Sequence, residues 1–349
     1  MTQAIDNTSL DSWATGQDGP VALHFRQHLV PVEGKGSVFF PPTFAGGKYN
    51  IDKLSDGTEV ALVDSVGAQA NRMEPLFLEE PLRRLVPQID VKYGDEKKGT
   101  GGVVSLLEAG HRLGDAVIRC TELAEEAQAA FLALDKQKDP GPLAKVAPTS
   151  LVFGAWDSRD TMTKVPRIVQ SVIRAWDVSK LTRSAQYNPA LDYSKLDVVT
   201  EQEKEKAEGK ADSELAKRGY VHVPATDTHG GVVAKGPIIK DVTVNLVALR
   251  RLGSDEHAVT RQYVLGLALV AATATQDPFL RQGCLLVPDT EVEARWEAVN
   301  RDGTRSEVAL TSEAALSYAS HAAERFGVGE SRSVTFDKAR AKQDTKKKG

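Results

Sequence analysis

The sequence predicts an α+β fold around a mostly antiparallel sheet. Three observations carry that prediction. Apolar runs with the two-residue alternation of half-buried strands recur along the chain, VALHFRQHLVPV at 21–32 being the clearest. Strands and helices are mixed, with hairpins as well as helices as connections. No self-similarity at a solenoid period is present, so the chain is not an array.

Within 21–32, Leu23, Phe25 and Leu29 share one face, which reads as core, and His24, Arg26 and His28 share the other, cationic or wet. TEVALVD then leads into SVGAQANRMEP, a short helix with Asp64 expected as its N-cap and Pro75 as its stop. Val66, Ala70, Met73 and Phe77 take the helical spacing there, while Ser65, Gln69 and Arg72 form a separate polar stripe. VPQIDVKY at 86–93 reads as a strand, and GDEKKGTGG as the loop after it. A helix is expected over VVSLLEAGHRLGDAVIR, 103–119, burying Leu106, Gly110, Leu113 and Val117. An acid-rich helix over 121–139 follows, closed by Pro140 and Gly141. SLVFGAW and RIVQSVIRAW, 150–156 and 167–176, read as a strand pair with Pro166 suited to a strand's first residue.

Residues 179–235 break this rhythm. The charge-dense TEQEKEKAEGKADSELAKRGY opens on a Thr200–Glu203 capping box and predicts an exposed helix between mobile loops. The core pattern resumes at IIKDVTVNLVALR as one long strand, then a helix at 257–275, the strand GCLLVP, a hairpin through NRDG and a helix at 312–326. Residues 1–20 are expected to be flexible, and the lysine-rich ending 327–349 to be a disordered basic tail.

Bulk properties narrow the function. The 349 residues are 41% hydrophobic, enough for the core of one large domain or two modest ones. Lys plus Arg total 44 against 48 Asp plus Glu, a formal charge of −4, so any polyanion site must be local. Two cysteines, Cys120 and Cys284, lack zinc-ligand spacing and fit a reducing, cytoplasmic compartment. The N-terminal stretch lacks the pattern of a signal peptide, and YVLGLALVAATAT at 263–275 is too short to span a bilayer, so no membrane partner is expected.

Motifs exclude several chemistries. GDEKKGTGG is followed by Val-Val where a P-loop needs Lys and Ser or Thr, and neither GxGxxG nor GxSxG occurs. The seven His do not form a ligand set, so no metal or other cofactor is expected. Asp64, His111 and Asp157 are an imaginable hydrolytic constellation, but nothing in their spacing argues for it. Glu108 with Arg112 and His111 with Asp115 are four apart and expected to pair along their helix.

The polar stripe of Ser65, Gln69 and Arg72, with Asn71 beside it, offers hydroxyl, amide and guanidinium donors of the kind that hold phosphates and sugars, as an ordinary solvated face also would. WDSRDTMTKVPRIVQSVIRAW at 156–176 places Arg159 and Lys164 in a loop and Arg167 and Arg174 on opposite faces of a strand. Aromatic and guanidinium groups on a sheet suit single-stranded nucleic acid, and a core hairpin would carry the same residues.

Four segments in order, DSVGAQANRMEP, SLLEAGHRLGDAVIR, SLVFGAWDSRDTMTKVPRIVQSVIRAWDV and VTVNLVALR, resemble the crRNA-binding backbone subunit of the CRISPR type I-G (formerly I-U) Cascade, the seventh Cas family within the RAMP superfamily. The resemblance implies a modified RRM-like (ferredoxin-like) palm over 21–178 and 236–326, and a thumb-like insertion over 179–235. It implies a noncatalytic protein that stacks as a helical filament along crRNA. Its partners would be crRNA, the target DNA strand, further copies of itself, and other Cascade subunits, namely the large subunit and the crRNA-processing and capping subunit. By the same resemblance Gln69, Asn71 and Arg72 become candidates for the crRNA backbone, joined by His111 and Arg112, by Arg159, Lys164, Arg167 and Arg174, and by Arg26 on the cationic strand face. The acidic helix of the insertion suits protein contact. The competing expectation is a RAMP-type metal-dependent ribonuclease using an acidic residue near the palm.

Overall fold

A computed structural model of the chain describes residues 3–16 and 18–346. β1 (Gln3–Ala4) leads into α1 (Asn7–Thr15), where Asp6 caps the helix by accepting the Ser9 N–H and Leu10, Trp13 and Ala14 are buried. The segment expected to be flexible thus contributes a tryptophan to the core, apart from residues 1, 2 and 17, which lie outside the described residues. β2 (Ala22–Pro31), β3 (Ile51–Lys53) and β4 (Glu59–Asp64) follow, then α2 (Val66–Met73). Its cap is Ser65, whose Oγ accepts the Ala68 N–H at 3.1 Å, and not the expected Asp64.

β5 (Ile89–Tyr93) and β6 (Gly102–Ser105) form a hairpin. The helix expected over 103–119 does not form. Ser105 and Glu108 cap each other and start a single tight turn, Arg112 takes a left-handed φ of +54°, and Asp115 restarts the chain as α3 (Ala116–Arg119) by accepting the Val117 N–H. Polar side chains competing for backbone groups at 105 and 115 cut a helical apolar spacing into turns. α4 (Ala124–Leu132), α5 (Gly141–Val146) and α6 (Pro148–Phe153) come next. α6 corrects the strand expected at SLVF: Pro148 starts it, all six residues are buried, and Gly154 ends it at φ +79°. A short continuous apolar run does not distinguish a buried helix from a strand.

β7 (Ala155–Trp156) pairs with β8 (Lys164–Val165), and β9 (Val169–Trp176) begins beyond Pro166. The expected pairing of 150–156 with 167–176 is therefore absent. β10 (Val178–Tyr187) pairs with β11 (Val223–Ala234) in a two-stranded antiparallel ribbon that carries α7 (Glu201–Ala207) and α8 (Glu214–Lys217) between its strands. β12 (Ile238–Asn245) stops where Asn245 accepts the Ala248 N–H, so the expected long strand turns into α9 (Leu246–Arg250). The chain finishes with α10 (Ala258–Thr273), β13 (Phe279–Arg281), β14 (Cys284–Pro288), β15 (Arg295–Val299), β16 (Arg305–Ala309), α11 (Ser312–Phe326), β17 (Arg332–Thr335) and α12 (Lys338–Asp344). The tail expected to be disordered is a strand beside β5 and a helix, held by Arg332 on Glu126 at 2.7 and 2.9 Å and Arg340 on Glu125 at 2.6 Å; residues 347–349 lie outside the described residues.

The main sheet runs β1-β16-β15-β2-β12-β9-β4-β3, with β14 also joined to β2, and β1–β16 is its one parallel pairing among the described residues. α10, buried from Thr260 to Ala272, lies in the core with α1, α6 and α11 around it. A Cβ on Gly266 would stand 2.7 Å from Ala319 Cα, so glycine lets α10 and α11 approach this closely. Among the described residues no helix is long and apolar enough to cross a membrane.

Candidate nucleic-acid interface

Strand alternation sorts the side chains of the sheet. Along β9, Val169, Ser171, Ile173 and Ala175 are buried, while Gln170 and Arg174 are exposed on the opposite face. Register extends that outer face sideways: Arg174 lies opposite Ile239 of β12 and Leu62 of β4, and Asp241 lies opposite Val172 on one side and Arg26 on the other. Arg26 in turn lies opposite Arg295, and His24 opposite Glu297.

Most cations on this face already have carboxylate partners. Arg26 Nε donates to Asp241 Oδ1 at 2.8 Å, with His24 Nε2 3.0 Å from the same oxygen. Arg295 bonds Glu307 at 2.9 Å, and Arg305 bonds Glu297 at 2.7 Å. Arg174, on a central strand, makes no hydrogen bond or ion pair among the described residues. An exposed guanidinium with all its donors free is the strongest anion contact the face offers.

The WDSR loop supplies a second group. Trp156 is 50% exposed, and Lys164 Nζ sits 5.1 Å from its ring centroid. Arg159 is exposed and free of hydrogen bonds among the described residues. Arg167 is half-buried, its Nη1 has no partner, and burial and the nearby Arg112 lower its pKa. Asp157 anchors the loop by accepting the Thr161 N–H at 2.9 Å, the Thr161 hydroxyl at 2.8 Å and Arg119 Nη1 at 2.8 Å. Burial would raise its pKa, but those donors hold the carboxyl below the ordinary aspartate range. Arg119, which also pairs with Asp160, was not among the expected residues; nothing local in the sequence marks it, because its partners lie about forty positions away.

The QANR segment is mainly structural. Gln69 is 0% exposed; its Nε2 donates to Asp64 Oδ2 at 2.6 Å and its Oε1 accepts the Ser171 hydroxyl at 2.6 Å. Asp64 also takes Arg72 Nε at 3.0 Å, while Arg72 Nη2 reaches the Leu280 carbonyl at 2.8 Å. The expectation that Gln69 contacts RNA is corrected, since both ends of its amide are spent inside the core. Arg72 keeps 31% of its side chain exposed, and Asn71 is exposed.

Arg112 is corrected for the same reason. It is 4% exposed, with Nε 2.7 Å from Glu74 Oε2, Nη1 donating to the Gly154 carbonyl at 3.0 Å, and the guanidinium over the Phe153 ring. Burial pushes the Glu74 carboxyl up to about 7, against the pull of Arg112. Glu108 is spent on the Ser105 cap, so its expected pairing with Arg112 is absent, and His111 is exposed. Asp64 and Asp157 belong to separate buried networks, so the imagined constellation with His111 is not assembled. Among the described residues no three His, Cys, Asp or Glu side chains form a metal-binding group.

The basic loop and the central strand fall within a single matched region. Residues 23–180 match the family described as CRISPR-associated protein GSU0053. That stretch runs from β2 to the start of β10 and holds the QANR, GHRL and WDSR segments together with Arg174. No curated protein is significantly similar to the chain. A solved chain titled CRISPR RNA-guided surveillance complex is similar over 79% of this chain and 75% of its own, at 14% identity and a TM-score of 0.29, a likeness too loose for residue-level comparison.

Proposed function

We propose that the chain is a noncatalytic backbone subunit of a CRISPR type I effector complex, of the I-G Cascade kind, which polymerises along crRNA and presents the spacer to the target DNA strand. The observation that carries the reading is Arg174: a free guanidinium on an open sheet face, inside the region that matches a CRISPR-associated family. The contacts to the RNA backbone are Arg174, Arg159, Lys164 and Arg167, with Arg26, Asn71, Arg72 and His111 at the margins and Trp156 available for stacking. Gln69 and Arg112 hold the scaffold. Backbone contacts suffice because base pairing reads the sequence.

The palm is RRM-like and spans 21–178 and 236–326, and the β10–β11 ribbon is the thumb-like insertion of 179–235. Its charged α7 faces protein rather than RNA, since Glu201 and Glu203 would repel phosphates. Further copies, the large subunit and the crRNA-processing subunit are the protein partners, and the assembly works in the cytoplasm. Coexpression with guides of two lengths tests the reading: short RNA should copurify with a multimer whose size follows guide length, and an RNA-free monomer would overturn it. Complementary RNA incubated with the assembly and magnesium should stay intact; regularly spaced cuts would make the protein a RAMP-type ribonuclease instead.

A further inference from the structure

The covered face of the sheet holds a cavity of about 600 Å³, between the C-terminal end of α10, the β13–β14 hairpin and the start of α11. Its wall is apolar over much of its extent, with Phe25, Leu29, Ile173, Leu286 and Trp296 among the lining residues. Into this wall β12 sends Lys240, on the same strand face as the buried Ile238, Val242 and Val244. The amine is largely withdrawn from water, yet its one hydrogen bond among the described residues goes to the neutral Gln276 Oε1 at 3.2 Å. Asp64 attracts it from a distance without forming an ion pair, and burial pushes the ammonium down to about 8.

An ammonium in such a place is costly unless a negative group meets it. Every cation of the opposite face with a carboxylate in reach has used it, whereas Lys240 still has two N–H groups to give. The cavity mouth carries Asp277 and Glu313, and the Glu313 carboxylate already occupies the first turn of α11. Two carboxylates at the mouth repel a phosphate chain or a dianion, so the cavity suits one negative charge on an apolar body. We propose that this cavity is a binding site for a small amphiphilic monocarboxylate, with the Lys240 ammonium on its head and the Phe25, Ile173, Leu286 and Trp296 side chains around its tail. The volume fits a drug-sized or medium-chain ligand. Strand alternation puts the site on the opposite face of the sheet from Arg174 and Arg26, so it goes beyond the RNA-binding reading and does not depend on it.

Octanoate and 1-octanol, which share a tail and differ in charge, are the probes. Calorimetry on the full chain should show octanoate binding at a single site, about tenfold or more tighter than octanol. Lys240→Met should reduce that preference to within about twofold. Gln276→Glu places a carboxylate beside the ammonium from a loop and should weaken octanoate about tenfold while leaving octanol unchanged. Should Lys240→Met fail to fold, the Gln276→Glu variant decides alone. Equal affinity for the two probes, no octanoate binding to the folded chain, or an octanoate preference that survives in the folded variants would each overturn the proposal.

Discussion

Gln69→Ala separates the two roles that a polar motif on this sheet could play. The substitution removes a hydrogen bond to the buried Asp64 carboxylate, about 1.5–3 kcal/mol for a charged acceptor, and strands the Ser171 hydroxyl inside the core at about 1–3 kcal/mol. Because Gln69 is fully buried, a cavity is added, and the total comes to about 3–5 kcal/mol of lost stability. Urea unfolding followed by tryptophan fluorescence reads that loss as a lower midpoint at unchanged slope. RNA binding measured well below the midpoint, over a series of salt concentrations, should keep its slope, because no phosphate contact has been removed. A Gln69→Ala protein of wild-type stability that has lost RNA affinity would refute the structural assignment and return the amide to the RNA.

Arg174→Ala should do the reverse: weaker RNA binding for every spacer sequence, a salt slope reduced by about 1, and stability within about 0.5 kcal/mol of wild type. Arg112→Met leaves Glu74 buried without its cation and should cost about 3–5 kcal/mol at pH 8.5. The folded-state pKa of Glu74, about 7, lies above its ordinary 4.5, so the folded state favours the neutral acid; its contribution is full below 4.5 and lost as pH rises through 7. The Arg112→Met deficit should therefore shrink in unfolding curves at pH 5.5, and a deficit independent of pH would refute the assignment. Trp156→Phe should abolish most of any fluorescence change on adding RNA, since Trp156 is the exposed ring in the basic loop; a change undiminished in that variant would place the RNA elsewhere.

Elements with an unambiguous period and clear punctuation were legible in the sequence. The strand at 22–31, the helix at 312–326 and the hairpin through Asn300–Gly303 are such cases. Residues 148–153 were not, because a short stretch buried on every side carries no period, and 103–119 misled because Ser105 and Asp115 cap turns inside a helical spacing. The tail looked unable to fold because its partners are remote: β17 pairs with β5, Val334 is buried in the core, and Arg332 and Arg340 reach α4, some two hundred residues back. The same non-locality hid the role of Gln69. Its stripe looked solvated until Ser171, a hundred positions later, supplied a buried partner. The exposed position of Arg174 was legible because alternation along one strand is local information.

The order of strands in space also fixes an order in time. β12 lies between β2 and β9, yet about sixty residues, including the whole ribbon, separate the end of β9 from its start. At ribosomal speeds of about 5–20 residues per second, β9 waits about 3–12 seconds and β2 about 10–40 seconds, each with an unpaired edge, before the strand that joins them is made. Open edges of that kind invite other chains. β11, the ribbon's second strand, ends at Ala234 and β12 starts at Ile238, so the ribbon is completed almost as the strand that closes the sheet is made.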